Sequence, residues 1–161
     1  GLGPWSGVRG GPGMKGREAP RRAATVRVRY AETDRMGVVY HSNYLVWFEV
    51  GRTELCRSLG FPYRAWESEG VFLPCVEAHC RYKHPARYDD EVAILTGVKE
   101  LTPHTVTFGY RVEREGRLLA EGWTKHGFCN PEGKLLREPQ PFFGMLGDFL
   151  ASSKDTSKRE E

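Results

Sequence analysis

Apolar and polar positions alternate clearly at two ends of the chain and merge in its middle. "TVRVRY" (Thr25–Tyr30) sets Val26 and Val28 on one side against charged neighbours, the period-two pattern of a half-buried strand. "ETDRMG" (Glu32–Gly37) is turn chemistry. From Ser42 or Asn43 to about Leu59 the pattern predicts a long helix. Either residue is a suitable N-cap, and Gly60 followed by Phe61-Pro62 is a stop. The first half of that helix, "YLVWFEV" (Tyr44–Val50), is apolar nearly all round, which predicts a wrapped helix. In the second half Leu55, Cys56 and Leu59 fall together, with Arg52, Glu54 and Arg57 outside.

A short helical piece follows at about 63–69, and then four strands at about 71–83, 90–101, 104–114 and 117–129. "TVTFGYRVE" is the clearest, with Val106, Phe108, Tyr110 and Val112 on one face. "REGR" (Arg114–Arg117) reads as a hairpin turn and "PARYDD" (Pro85–Asp90) as the connection before the second of these strands. "NPEGK" closes the last, and "PFFGMLGDFL" makes a small terminal helix or coil. One strand, one long helix and four antiparallel strands fit an α+β layer arrangement, a sheet curved around the helix. An open sheet edge is an aggregation hazard, so pairing with a second copy is expected.

Composition narrows the class. The chain has 161 residues, 39% hydrophobic and 28% charged, enough for one domain with a core. No apolar run reaches the roughly 18–20 residues of a membrane span, so membrane insertion is not expected. No apolar stretch follows the basic start as in a signal peptide, so the expected location is the cytoplasm. Residues 1–22 hold five basic residues and one acid, +4 of a net +3, leaving the remainder near −1. The basic character thus belongs to residues 1–23, read as a disordered leader in which Met14 is a candidate start. A nucleic-acid partner is therefore not expected. The domain spans 24–150, and 151–161 form a polar tail. The four cysteines form no CxxC and the five histidines no zinc-ligand spacing, so neither a disulfide framework nor a metal is expected.

The segment "YAETDRMGVVYHSNYLVWFEVGRTE" carries the chemistry. It resembles the hot-dog-fold acyl-CoA thioesterases of the 4-hydroxybenzoyl-CoA thioesterase type, and within them the Tol–Pal-associated branch, whose motif runs Y-x-x-T-D-x-x-G-V-V-Y-H-x-x-Y. "YKHPARYDDEV" (Tyr82–Val92) resembles that family's return between strands, and the likeness covers about 25–145. It implies a five-stranded antiparallel sheet wrapped around one central helix. It also implies hydrolysis of a small acyl-CoA, short-chain or aromatic, in a dimer or dimer of dimers with sites at the subunit interface. No cofactor is implied, coenzyme A being part of the substrate. By motif, Asp34 takes the place of the catalytic carboxylate, with His41 and Tyr30 as its polar partners. Glu32 and Arg35-Met36 depart from the branch pattern.

The residue types suit that chemistry. A carboxylate can attack a thioester or draw a proton from water. The first N–H groups of a helix lack intrahelical acceptors and carry partial positive charge, a place for an oxyanion. Gly37 allows the tight turn between them. Val38, Val39 and Tyr44, with Phe72 and Trp47, are candidates for the acyl pocket, and Lys83, His84 and Arg87 for the phosphates of coenzyme A. Each has a plainer reading: Asp34 as a turn carboxylate, His41 at a helix start, the aromatics as core, the cations as a solvated loop. Glu49, mid-helix in "VWFEVG", is the rival carboxylate, or one half of a buried ion pair with Arg52 or Arg87. A hydratase on the same fold would show a G-x-F-P-G turn that is absent. A non-catalytic acyl-CoA sensor would be the natural reading without Asp34.

Overall fold

The structure, a computed structural model, describes residues 14–15 and 21–160, with side chains described from 24 to 153. The sheet is built on β4 (Glu91–Leu101), β5 (Thr105–Arg114) and β6 (Arg117–Gly127), each antiparallel to the next. β3 (Cys75–Tyr82) flanks β6 at one edge. At the other edge β1 (Met14–Lys15) and β2 (Arg21–Arg27) lie in succession along β4, Met14 opposite Leu101 and Arg27 opposite Glu91. Six strands therefore fill five positions in an antiparallel sheet, with α1 (Asn43–Ser58) across it. This is the expected hot-dog arrangement.

Two boundaries differ from expectation. Residues 14–15 and 21–23, assigned to the leader, are strand; the rest of 1–20 lies outside the described residues. Ladder bonds come from the backbone, so a segment with little to bury can still extend an edge. Likewise α3 (Phe142–Glu160) carries the helical backbone through the expected polar tail as far as Glu160. Once Phe142, Leu146 and Leu150 have anchored the first turns in the core, each further residue adds one bond to an existing helix.

The core lies between α1 and the sheet. Tyr44, Trp47, Phe48, Gly51, Leu55 and Cys56 are the buried positions of α1, spaced three and four apart with adjacent pairs. Phe48 stacks on Tyr110 with ring centroids 4.3 Å apart. Gly51 lets the helix press onto β4: a Cβ there would collide with the Thr96 side chain and with Ile94. The greasy first half is thus covered on one side only. Leu45 and Val46 are 40% and 50% exposed, and Glu49 is exposed beside them. α2 (Tyr63–Ser68) closes the far end, Trp66 stacking on Phe142 of α3. Among the described residues no helix is long and apolar enough to cross a membrane.

β3 and β4 are neighbours in sequence but lie apart in the sheet. The chain between them must cross from one side to the other, and it does so past the start of α1. Lys83 and His84 donate backbone N–H groups to Leu119 O, and Val39 donates to Ala86 O at 2.9 Å. This crossing fixes the surroundings of the motif.

Candidate active site

The motif folds as a small hairpin ahead of α1. Tyr40 N donates to Glu32 O, Thr33 pairs with Val39, and Asp34 N donates to Val38 O, all antiparallel. The tip is a turn closed by Gly37 N donating to Asp34 O, with Gly37 at φ +76°, where a side chain would be strained. Asp34 stands at this tip. Its Oδ1 accepts Met36 N at 2.8 Å and, more weakly, Val38 N at 3.4 Å. The plainer reading of Asp34 as a turn carboxylate is therefore true of one oxygen. Among the described residues the other, Oδ2, has neither hydrogen bond nor ion pair, and the residue is half-buried.

After Tyr40 the chain enters α1. Neither expected cap operates: Ser42 makes no side-chain cap bond, and Asn43 turns its amide back to donate to Glu32 O at 3.0 Å. The N–H groups of Asn43, Tyr44 and Leu45 close tight turns onto Tyr40 O, His41 O and Ser42 O. Those of His41 and Ser42 have no acceptor among the described residues. Two unspent donors at a positive helix end, one hairpin away from a carboxylate, are what an oxyanion needs. The strand register puts Asp34 on the order of 10 Å along the backbone from His41, so a substrate would lie between them.

The other expected residues divide into exposed and structural. The His41 ring is exposed and contacts Tyr40, and its carbonyl accepts the Tyr82 hydroxyl at 3.0 Å. Tyr30 is 78% exposed, edge-on to Tyr88 at 5.8 Å. Val38 is half-buried and bridges Arg87; Val39 is buried. Tyr44 is buried with its hydroxyl accepting Ala86 N at 3.3 Å, and burial raises its pKa. Lys83, His84 and Arg87 are exposed along the crossing segment. Phe72 is not brought to the helix start. It pairs with Cys129 and lines a separate cavity of about 450 Å3 with Tyr63, Trp66 and Leu73. Tyr82, which touches His41, is the last residue of β3, and Phe72 precedes the first, roughly 23 Å of strand away.

Two residues matter more than the sequence suggested. Glu32 is buried, its Oε1 accepting Arg29 N at 2.8 Å and its Oε2 accepting Trp47 Nε1 at 3.1 Å. It ties hairpin to helix and takes Trp47 out of the acyl-pocket candidates; the signal was an acid beside the motif facing an indole donor in an apolar helix. Tyr82 is the second. Glu49, in contrast, has no ion pair among the described residues, so the expected pairing with Arg52 or Arg87 is absent. It lies on the uncovered side of α1, where water solvates it. Arg52, expected outside, is half-buried and points Nη1 at Tyr110 Oη, 3.5 Å away. Among the described residues no cluster of ligand side chains could hold a metal.

Comparison with known proteins decides the family. The thioesterase-like superfamily profile matches residues 28–147, most of the chain. The chain belongs to the thioesterase-like superfamily. It is a thioester hydrolase of the acyl-CoA thioesterase kind on the hot-dog fold. It is 45% identical to YneP of Bacillus subtilis (strain 168) over 104 residues, 65% of this chain and 75% of that one. The acyl-CoA thioesterase YbgC of Haemophilus influenzae is 36% identical over 111 residues, 68% and 81% of the two chains. Among solved structures, the gentisyl-coenzyme A thioesterase BH1999 superposes with a TM-score of 0.69 at 28% identity, covering 73% of this chain and 95% of its own.

Proposed function

We propose that this thioesterase hydrolyses a small acyl-CoA, short-chain or aromatic, with Asp34 as the group that activates water or attacks the thioester carbonyl. The observation that carries this reading is the half-spent carboxylate. Oδ1 is fixed by the turn while, among the described residues, Oδ2 is left uncommitted, one hairpin away from a helix start with two N–H groups unclaimed. The His41 and Ser42 N–H groups would receive the carbonyl oxygen as it becomes an oxyanion, an interaction of a kind worth about 3–4 kcal/mol per donor in other enzymes. The His41 ring, exposed beside them, is placed to orient the carbonyl or a water. Tyr30 stands at the mouth, and Gly37, Val38 and Val39 form the floor beside the reacting group. Tyr44 supports the site from within the core. An aromatic acyl group has a precedent in the gentisyl thioester named for BH1999.

The site is also open on one side. β3 pairs only with β6 among the described residues, Val76 and Tyr82 on it are 59% and 47% exposed, and Leu45 and Val46 of α1 are exposed as well. We propose that a second copy pairs along β3 and covers this surface, making a dimer or dimer of dimers. Val76→Asp, which puts a charge on the exposed surface of β3, is expected to shift the protein to a monomer in sedimentation; an unchanged mass would remove this part of the reading.

The test of the activity is thiol release from short, long and aromatic acyl-CoAs, with Asp34→Asn and Glu49→Gln alongside. Loss in Asp34→Asn with turnover kept in Glu49→Gln supports the turn carboxylate. The reverse moves the chemistry onto α1. No release from any thioester favours an acyl-CoA sensor, the second reading.

A further inference from the structure

The peptide that joins His41 to Ser42 is hydrogen-bonded from one side. Its carbonyl, His41 O, accepts two donors: Tyr44 N at 3.3 Å, from the opening turn of α1, and the Tyr82 hydroxyl at 3.0 Å. Its amide, the N–H of Ser42, has no acceptor among the described residues. The peptide before it is treated differently. Among the described residues Tyr40 O accepts the backbone N–H of Asn43, at 3.0 Å, and no side chain. Of the two N–H groups left unclaimed at the helix start, that of Ser42 is therefore the one backed by a side chain.

The sheet delivers that side chain. Tyr82 is paired with Ala120 of β6, and Lys83 N after it donates to Leu119 O at 2.8 Å. The Tyr82 ring is edge-on to Tyr44 with centroids 5.1 Å apart, and edge-on to His41 at 6.4 Å. Tyr44 is buried and tied by its own hydroxyl to Ala86 N. Loss of hydration, and then the neighbouring Cys80, push the pKa of Tyr82 up to about 12, so the hydroxyl keeps the proton it donates. In a planar trans peptide the carbonyl oxygen and the amide hydrogen point to opposite sides. A donor on the oxygen thus leaves the N–H accessible and fixes the plane in which it lies. It also draws electron density from nitrogen to oxygen, which makes the N–H a stronger donor. Both effects favour a group that must meet negative charge as it develops.

We infer that Tyr82 is a positioning residue of the oxyanion site: its hydroxyl, acting through the His41–Ser42 peptide, aims and strengthens the Ser42 N–H as the principal oxyanion donor. The inference rests on the thioesterase reading above and deepens it. It ranks the two candidate donors and adds to the site a residue of β3, outside the motif. Strengthening by roughly 10–30% of a donor worth roughly 100- to 1000-fold in rate is a factor of about two to eight in kcat.

Tyr82→Phe keeps the ring and removes the hydroxyl. With the best acyl-CoA of the thiol-release assay, kcat is expected to fall about fivefold while KM stays within about twofold. Two inhibitors separate aiming from mere support. Trifluoroacetonyl-coenzyme A adds water to become a tetrahedral adduct that can carry an oxyanion, whereas acetonyl-coenzyme A keeps its planar carbonyl. Inhibition by the first should weaken by the same factor as kcat, and inhibition by the second should not change. A purely structural role would weaken both alike. The amide itself is read by nuclear magnetic resonance with isotope-labelled His carbonyls and Ser nitrogens, because His41-Ser42 is the one His-Ser step in the chain. The Ser42 nitrogen resonance is expected to move upfield in Tyr82→Phe. An unmoved resonance, an unchanged kcat or equal weakening of both inhibitors would overturn the inference. If the unaltered protein hydrolyses no thioester, the thioesterase reading fails, while the Ser42 resonance still decides whether Tyr82 polarises this peptide.

Discussion

Two parts of the molecule place polar side chains among aromatics, and they handle them in opposite ways. At the helix start, His41 and Tyr30 are exposed, and among the described residues Asp34 keeps one oxygen uncommitted and two backbone donors have no acceptor. Under the middle of α1, polar groups run in an unbroken chain. Arg52 reaches Tyr110 Oη, Tyr110 Oη meets Thr124 Oγ1 at 2.5 Å, Thr124 Oγ1 meets His126 Nε2 at 2.8 Å, and His126 Nδ1 meets Leu73 O at 3.0 Å. Tyr110, Thr124 and His126 are all buried. The difference shows how to separate chemistry from architecture. Groups whose bonding capacity is consumed inside the fold hold it together; groups left with capacity at an open end can act on something else.

That division can be tested by removing groups from each region. The largest effect is expected from Asp34→Asn. The amide oxygen can still accept Met36 N, so the turn survives, but the base is lost; kcat should fall a hundredfold or more, with the melting temperature within about 2 °C. A comparable drop in stability would make Asp34 architectural.

Next comes the pH response of the buried chain. Burial, with Arg52 nearby, lowers the pKa of His126 to about 4, against the bond to Leu73 O that favours the charged ring. The folded form then resists protonation that the unfolded chain accepts at its ordinary value near 6.5. Stability from this group is full above pH 6.5 and declines as pH falls to about 4, by roughly 3 kcal/mol in all. Denaturant unfolding across that range should show the decline, and His126→Gln should flatten it. A flat profile in the unaltered protein would mean that His126 is not held neutral.

Packing between the regions gives a third test. Gly51→Ala must push α1 away from Thr96 and Ile94, and should cost about 1–3 kcal/mol by chemical denaturation while Asp34 remains intact. Glu32→Gln belongs to the hinge between the two behaviours. It loses the charge and leaves one acceptor oxygen for two donors, so either Arg29 N or Trp47 Nε1 faces an NH2 group, an expected cost of about 1–2 kcal/mol by chemical denaturation. The smallest effect is reserved for Tyr30→Phe. With its ring 78% exposed, loss of the hydroxyl should change kcat/KM by less than about threefold in the thiol-release assay. A hundredfold loss would place that hydroxyl on the reacting atoms.

The sequence by itself determined the elements and the motif. Periodicity located α1 to within a residue and four of the strands to within a few, because a half-buried strand or a helix face leaves its period in the chain. The order of residues from Tyr30 to Tyr44 marked Asp34 and Gly37 because a turn and a helix start need particular residues at fixed local spacing. Tertiary structure alone decided which polar groups remained available. Glu32 was spent on Trp47, and Arg52 was drawn inward to Tyr110. Glu49 went to solvent, Phe72 to the opposite end of β3, and Arg117 came beside His84 from 33 residues away. Those outcomes depend on where strands β3 and β6 place distant residues side by side. Burial and hydrogen-bond satisfaction belong to neighbours in space, and local patterning along a chain does not encode them.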